Sequence, residues 1–397
     1  MSSWAGNRWE DTLSIGETIT LAALDDDPDP IFERLRAEEP ISWVPALEMW
    51  LVARWDDVAY MEAHPELFTA ATEPSFLARA LGSNILTCDP PAHTRLQSIM
   101  QPPFQSGGRS GAFVADELPA LADRLLDQVG ADGFDLMAHY AQPLSAGALA
   151  VVLGLDHHGL DTMWRWCEGL CADLANFEND PEITATAGRA KTELADAIAD
   201  RMSAADDDSV ISWFVHHGAT PEEVVNNVRL MISGGINEPR DGIGLVAWVL
   251  LTRPDLRRRV NEEPKRMRRL VEEVFRVYSP VGTVTRQATT DLELAGVAIA
   301  EGDLVSGVLR SANLCESRWP APAEIDLDRR DGAHVAFALG VHRCLGEWLG
   351  RQEVRVGVER LFERFPDLRL DPEHEVELFG FEFRGPRAVH VLTAPAG

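Results

Sequence analysis

The stretch His334 to Arg351, HVAFALGVHRCLGEWLGR, constrains this chain more than any other: it sets Cys344 between Gly340 and Gly346 and then turns at once into a helical pattern. Glycines let backbone amides approach a sulfur closely, and a helix starting beside a thiol directs unpaired N–H groups and its positive dipole end at the anion. Both effects favour a deprotonated cysteine, the form that ligates a metal. Leu345, Leu349 and Val356 give the helix an apolar stripe suited to a core or to a large flat cofactor. A cysteine without such surroundings is usually a small buried hydrophobe.

At 397 residues, with 45% hydrophobic and 25% charged residues, the chain has the composition of an ordinary globular protein. Its 64 acidic and 36 basic residues leave a net charge of −28, which opposes binding to nucleic acid or to an anionic membrane surface. No apolar run approaches the length of a membrane span, and the opening MSSWAGNRWEDTLSIGE lacks the charged and apolar regions of a signal peptide, so a cytoplasmic location is expected. Five cysteines, Cys88, Cys167, Cys171, Cys315 and Cys344, are too few and too odd in number for a disulfide framework. Cys167 and Cys171 share a helix face but have no His or Cys neighbours in sequence, which reads as packing.

Along the chain, PIFERLRAEEP forms a short amphipathic helix ended by Pro40, ISWVP and LEMWLVAR form two strands joined by a turn, and WDDVAYMEAHPELF forms another helix. Helical periodicity then dominates from about Ala112 to Tyr278, with no linker and no internal repeat. The expectation is one domain over residues 1–397, mainly α with a minor β region.

The residues Phe337, Gly340, His342, Cys344 and Gly346 resemble the haem-binding signature of the cytochrome P450 monooxygenases, with Ala338 where that signature usually has a further glycine. The resemblance implies a P450-like fold, haem b (iron protoporphyrin IX) as cofactor and Cys344 as axial thiolate ligand. It also implies that His93, Arg286 and His342 reach the haem propionates; Gln97 stands where a second arginine is common. Glu273 and Arg276 match the family's Glu-x-x-Arg helix, a buried pair that braces the loop before Cys344. Ser311 to Arg330 matches the stretch leading into that loop. These motifs occur in the family's order along nearly the whole chain.

Leu230 to Pro254 reads as a long apolar helix interrupted by Gly234, Gly235 and Pro239; the proline has no N–H for the carbonyl of Gly235, so a kink is expected. In the family this helix crosses the oxygen-binding face and carries an acid beside a threonine. Here Asn237 replaces the acid and Glu238 the threonine, so these two residues are expected to handle oxygen and protons. A carboxyl beside an apolar pocket has its neutral form favoured by desolvation.

The Glu238-Pro239 pair and FGFEFRGPRAVHV further resemble a narrower branch, the bacterial O-demethylases of guaiacol-like methoxyphenols. In that branch three phenylalanines line a small aromatic pocket. Phe76 matches the first, Leu174 falls near the second, and Phe381 or Phe383 near the third, with Val281 and Val284 as further lining residues. A leucine at the second place implies a wider pocket and a substrate different from guaiacol. The expected reaction is oxidative O-demethylation of a small methoxy-aromatic with O2, or with H2O2 taken directly. The alternatives are hydroxylation of a secondary metabolite and a haem-thiolate sensor without catalysis. The expected electron donor is a ferredoxin or a flavin or iron–sulfur reductase, docking near the basic cluster Arg343, Arg351 and Arg355; Arg253 to Arg269 is a second basic island.

Overall fold

Helices dominate the chain between two small β regions, as the periodicity implies; the computed structural model describes residues 14–393. The stretch before Ser14, part of the opening read above for targeting signals, lies outside this range. Among the described residues no helix is long and apolar enough to cross a membrane.

The N-terminal elements fall where the sequence places them. Helix Asp29–Glu38 is followed by strands Ile41–Val44 and Met49–Val52, which pair antiparallel with Ile41 opposite Val52, and then by helix Trp55–Ala63. These strands join a five-stranded sheet in the spatial order Ile41–Val44, Met49–Val52, Leu304–Val308, Thr283–Ala288, Phe68–Thr69. Only the contact between Met49–Val52 and Leu304–Val308 is parallel. The sheet therefore assembles from the two ends of the chain and delivers Val284 and Arg286 on one strand to the middle of the molecule.

One continuous helix, Pro221–Thr252, runs through the largest apolar core. Thr220 and Glu223 close its N-terminus as a reciprocal capping box, and Pro239 sits inside it without ending it. Leu149 lies 3.1 Å from where a Cβ on Gly235 would stand, so the residue must stay small for the helix Gln142–Leu153 to pack there. Behind it, Glu347–Arg364 forms the helix that follows Cys344, packing Val354 against the central helix at Gly242. The two elements that the site needs are thus held face to face by their own apolar sides.

Candidate functional site

The loop before the helix Glu347–Arg364 is built on a tight turn. Ala338 N–H donates to Val335 O at 2.9 Å, and Cys344 N–H donates to Phe337 O at 3.0 Å. Gly340 adopts φ +62°, and a Cβ there would come within 2.3 Å of Glu62 O, so only glycine fits. Ala338 also adopts a left-handed conformation, φ 54°, which costs a residue with a Cβ. Gly346 N–H donates to the Cys344 sulfur. Burial nevertheless pushes the thiol up to about 11, with Glu238 and Glu347 adding to the rise. The Gly346 N–H favours the thiolate, as the sequence implies, but desolvation outweighs it, and the charge of a bound metal would complete the ionisation.

Cys344 is exposed to a water-sized probe and yet enclosed by protein on all sides, which places it on the wall of an internal hollow. Gly234, in the middle of the central helix, is likewise exposed, and Glu238, one turn on, is enclosed but reachable. Glu238 raises the Cys344 thiol electrostatically, so the carboxyl lies near the sulfur.

The carboxyl of Glu238 is pushed well above the usual range, first by burial and then by Asp241 and Glu382. Its Oε2 is sealed from solvent with no hydrogen-bond partner. Asn237 turns elsewhere: it is buried, and its Nδ2 approaches Asp241 Oδ2 at 3.5 Å, while Asp241 pairs with Arg240 at 2.6 Å. Of the two expected oxygen-side residues, only Glu238 is set toward the hollow.

His93, Arg286 and His342 converge at one side. The rings of His93 and His342 meet edge to face at 4.4 Å, and Arg286 acts electrostatically on both. Both ring nitrogens of buried His342 lack a hydrogen-bond partner; Asp89 Oδ1 at 3.5 Å is too distant and too poorly aligned to serve. Burial, Arg286 and His93 together push His342 down to about 4. Arg286 also lies 2.8 Å from Glu62 Oε1, so its charge is shared and not free.

Glu273 and Arg276 form the expected buried pair, bidentate at 2.8 and 2.9 Å. Sequence reasoning missed the third member. Arg329 Nε donates to Glu273 Oε2 at 2.9 Å, and Arg276 goes on to the carbonyls of Asn313, Pro322 and Glu324. Phe337 is packed between Arg351, 4.1 Å from its ring, and Phe275 at 5.2 Å.

The aromatic residues sort differently from expectation. Phe177, not Leu174, links Phe76 to Phe381, with ring centroids 5.6 and 6.2 Å apart. Leu174 is buried in the core at the end of its helix. The second ring of the run is thus Phe177, and no signal in a loop residue three positions past a helix end could have found it. Val281 pairs with Phe383 through a backbone bridge, and Val284 is half-buried on the neighbouring strand.

The arginines near the thiolate loop are matched by carboxylates: Arg343 and Arg351 by Glu347, Arg351 also by Glu272, and Arg355 by Glu359. In the other island Arg259 and Arg266 pair with Asp328, and Arg253 with Asp255. The arginines near the thiolate loop are thus neutralised in pairs, and those of the second island in part. Between them, on the outer side of the Cys344 loop, lies an open groove of about 350 Å³ lined by Arg269, Glu272, Arg343, Glu347 and Arg351 among others.

A thiol on the wall of an internal hollow, unpartnered imidazole nitrogens beside an arginine, and an apolar helix opposite together define a haem-thiolate site. The residues fit the cofactor, Cys344 as ligand and His93, Arg286 and His342 toward its carboxylates. A family model of cytochrome P450 matches residues 265–381. Cytochrome P450 107B1 of Saccharopolyspora erythraea is 30% identical over 387 residues, covering 90% of this chain and 93% of its own. Mycinamicin IV hydroxylase/epoxidase of Micromonospora griseorubida is 29% identical over 380 residues, covering 91% and 94%. Among solved structures, ligand-free cytochrome P450 TbtJ1 superposes with a TM-score of 0.84 at 27% identity, covering 94% of this chain and 99% of that one. The chain belongs to the cytochrome P450 family, and is a haem b monooxygenase.

Proposed function

We propose that this monooxygenase hydroxylates a carbon of a secondary metabolite held between Glu238 and the Cys344 face. The observation that carries the reading is that Cys344 and Glu238 are both enclosed by protein yet reachable by a probe, with the carboxyl on the central helix close enough to raise the thiol. The name of the similar mycinamicin hydroxylase points to the same substrate class. Bound haem supplies the activation of O2 and the transfer of one oxygen atom to a C–H bond.

What the chain adds is position and proton control. Burial favours the neutral form of the Glu238 carboxyl, the form in which one of its oxygens holds a proton for delivery into the hollow. The ionised form of the same carboxyl can take a proton from incoming H2O2 and return it to the distal oxygen, which makes peroxide-driven turnover part of this reading. Electrons would arrive at the outer groove beside Arg343 and Arg351 from a ferredoxin or flavin reductase. Because each arginine already has a carboxylate partner, docking there should depend on ionic strength only moderately.

A second reading, O-demethylation of a methoxy-aromatic, is favoured by the aromatic run Phe76, Phe177 and Phe381. Oxidation of the aryl methyl carbon gives a hemiacetal that breaks down to a phenol and formaldehyde. The two readings separate in one experiment. Turnover with a surrogate ferredoxin and reductase is followed on a panel of methoxyphenols and of macrocyclic or polycyclic metabolites. Formaldehyde release from guaiacol or syringol would establish the second; hydroxylated products without it, the first. Loss of both in Cys344→Ala, together with loss of the thiolate band in the reduced carbon monoxide difference spectrum, is expected in either case.

A further inference from the structure

The wall opposite Glu238 carries a second buried acid that the reaction does not account for. Glu382 lies at the turn between Phe381 and Phe383, in a segment fixed from several sides. Gly282 N–H donates to Glu382 O at 2.8 Å, Arg384 N–H to Pro280 O at 2.8 Å, and Phe381 N–H to Asp25 Oδ1 at 2.8 Å. A Cβ on Gly282 would stand 1.9 Å from Phe381 O, so the two strands are in the closest contact that a backbone allows. Thr283 Oγ1 donates to Glu382 Oε2 at 2.7 Å and aims the carboxyl. The side chain is enclosed by protein but only half-buried to a probe, as Glu238 is, and it lies close enough to Glu238 to raise that carboxyl further.

Among the described residues neither carboxyl has a cation as ion-pair partner. Arg384, nearest in sequence, spends its guanidinium on the carbonyls of Asp25, Gly380 and Asp26. Arg286 is taken by Glu62 and Arg240 by Asp241. Burial alone pushes Glu382 up to about 7, with Thr283 pulling the other way, and Oε2 of Glu238 is left without a partner. Two acids set into apolar walls are costly unless something that enters the hollow brings hydrogen-bond donors and positive charge.

We propose that Glu382, with Glu238 across from it, is a specificity-determining residue that receives a protonated amine of the substrate. This assignment rests on the oxygenase reading of the same hollow and adds to it the chemical class of the molecule oxidised: an apolar skeleton carrying a basic nitrogen. Glu382 supplies the fixed end of the grip because Thr283 orients it. The ammonium N–H donates to the free oxygen of Glu382, which fixes the nitrogen at that end of the hollow and leaves the apolar skeleton toward Cys344.

The test compares two probes on the haem-loaded protein: phenylbutyl-dimethylamine and the uncharged tertiary alcohol of the same skeleton. Binding is read by the haem spin-state change and, independently, by calorimetry. The native protein should prefer the amine by about tenfold or more, the value of a charge-assisted contact in a desolvated site. Glu382→Gln should remove that preference and leave the alcohol's affinity within about twofold. Glu382→Leu, similar in size, should do the same if the glutamine variant folds poorly. Equal affinity of the two probes for the native protein, or a preference that survives in both variants, overturns the proposal. A calorimetric preference in a preparation lacking the thiolate band would overturn the oxygenase reading and still support amine capture.

Discussion

His93 and His342 meet edge to face with ring centroids 4.4 Å apart, one from the helix Ala92–Met100 and the other from the turn just before Cys344. Both nitrogens of His342 lack hydrogen-bond partners, and burial with Arg286 keeps the ring neutral. A buried imidazole without partners is an expense in the fold, and a propionate accepting its N–H removes it. His342→Phe keeps the edge-to-face contact and deletes only the hydrogen bond. Haem transfer from this variant to a scavenging apoglobin should be about tenfold faster than from the native protein. An unchanged transfer rate would place the propionates elsewhere.

Glu273 holds two buried guanidiniums at once, Arg276 and Arg329. Glu273→Ala leaves Arg276 without a carboxylate and Arg329 with only Asp331 at 3.4 Å; breaking a buried pair costs about 3–5 kcal/mol in measured cases. Arg276 retains three carbonyl acceptors, so the lower end, about 3 kcal/mol, is the expectation here. Asp127→Ala, at the exposed pair with Arg364, should cost under about 1 kcal/mol. Denaturant midpoints of the two variants test the contrast, and equal losses would deny Glu273 its bracing role.

The neighbouring carboxyl, Glu272, predicts an acid-sensitive contribution. Burial raises it, but His334 at 3.0 Å and Arg351 at 2.6 Å more than compensate and hold it at about 2 against an ordinary 4.5. A folded-state value below the unfolded one stabilises above the unfolded value and is lost as pH falls through the folded one. The stability difference between native protein and Glu272→Gln should therefore be full at neutral pH and shrink between pH 4.5 and about 2. A difference independent of pH over that range would mean that packing, not charge, is what the substitution removes.

What was legible in the sequence follows from the range of each interaction. The Cys344 loop, the Glu273–Arg276 pair and the first hairpin are local, so spacing alone locates them. His93, Arg286 and His342 come from distant segments, yet the family pattern brings them together correctly. Arg329 and Phe177 act across long sequence separations from loops without periodicity, and nothing marks them beforehand. The charge clusters misled for the same reason: Asp328 and Glu359 neutralise arginines that look like a patch when their partners are not yet known. Asn237 and Glu238 are adjacent, but successive residues on a helix point about 100° apart, so only one of them could face the hollow.

Glu238 invites a chemical test, since Glu238→Gln preserves size and hydrogen bonding but cannot lend a proton. Peroxide-driven turnover should fall by about a hundredfold, within the usual range for losing a general acid–base. Substrate affinity for an uncharged probe should change little. Equal peroxide-driven rates in native and variant proteins would reduce Glu238 to a polar filler of the gap beside Pro239.

Ala338 adopts φ 54° in the turn before Cys344, where its N–H donates to Val335 O at 2.9 Å. A left-handed conformation costs a residue with a Cβ about 1–2 kcal/mol, and glycine nothing. Against this, glycine gains freedom in the unfolded chain worth about 0.4–1 kcal/mol. The first effect wins, so Ala338→Gly should stabilise the protein by about 0.5–1 kcal/mol. The hydrogen bond from Cys344 N–H to Phe337 O does not depend on the Ala338 side chain, and the thiolate band should keep its position. A lower denaturation midpoint in Ala338→Gly would show that the methyl group packs well enough to outweigh its own backbone strain.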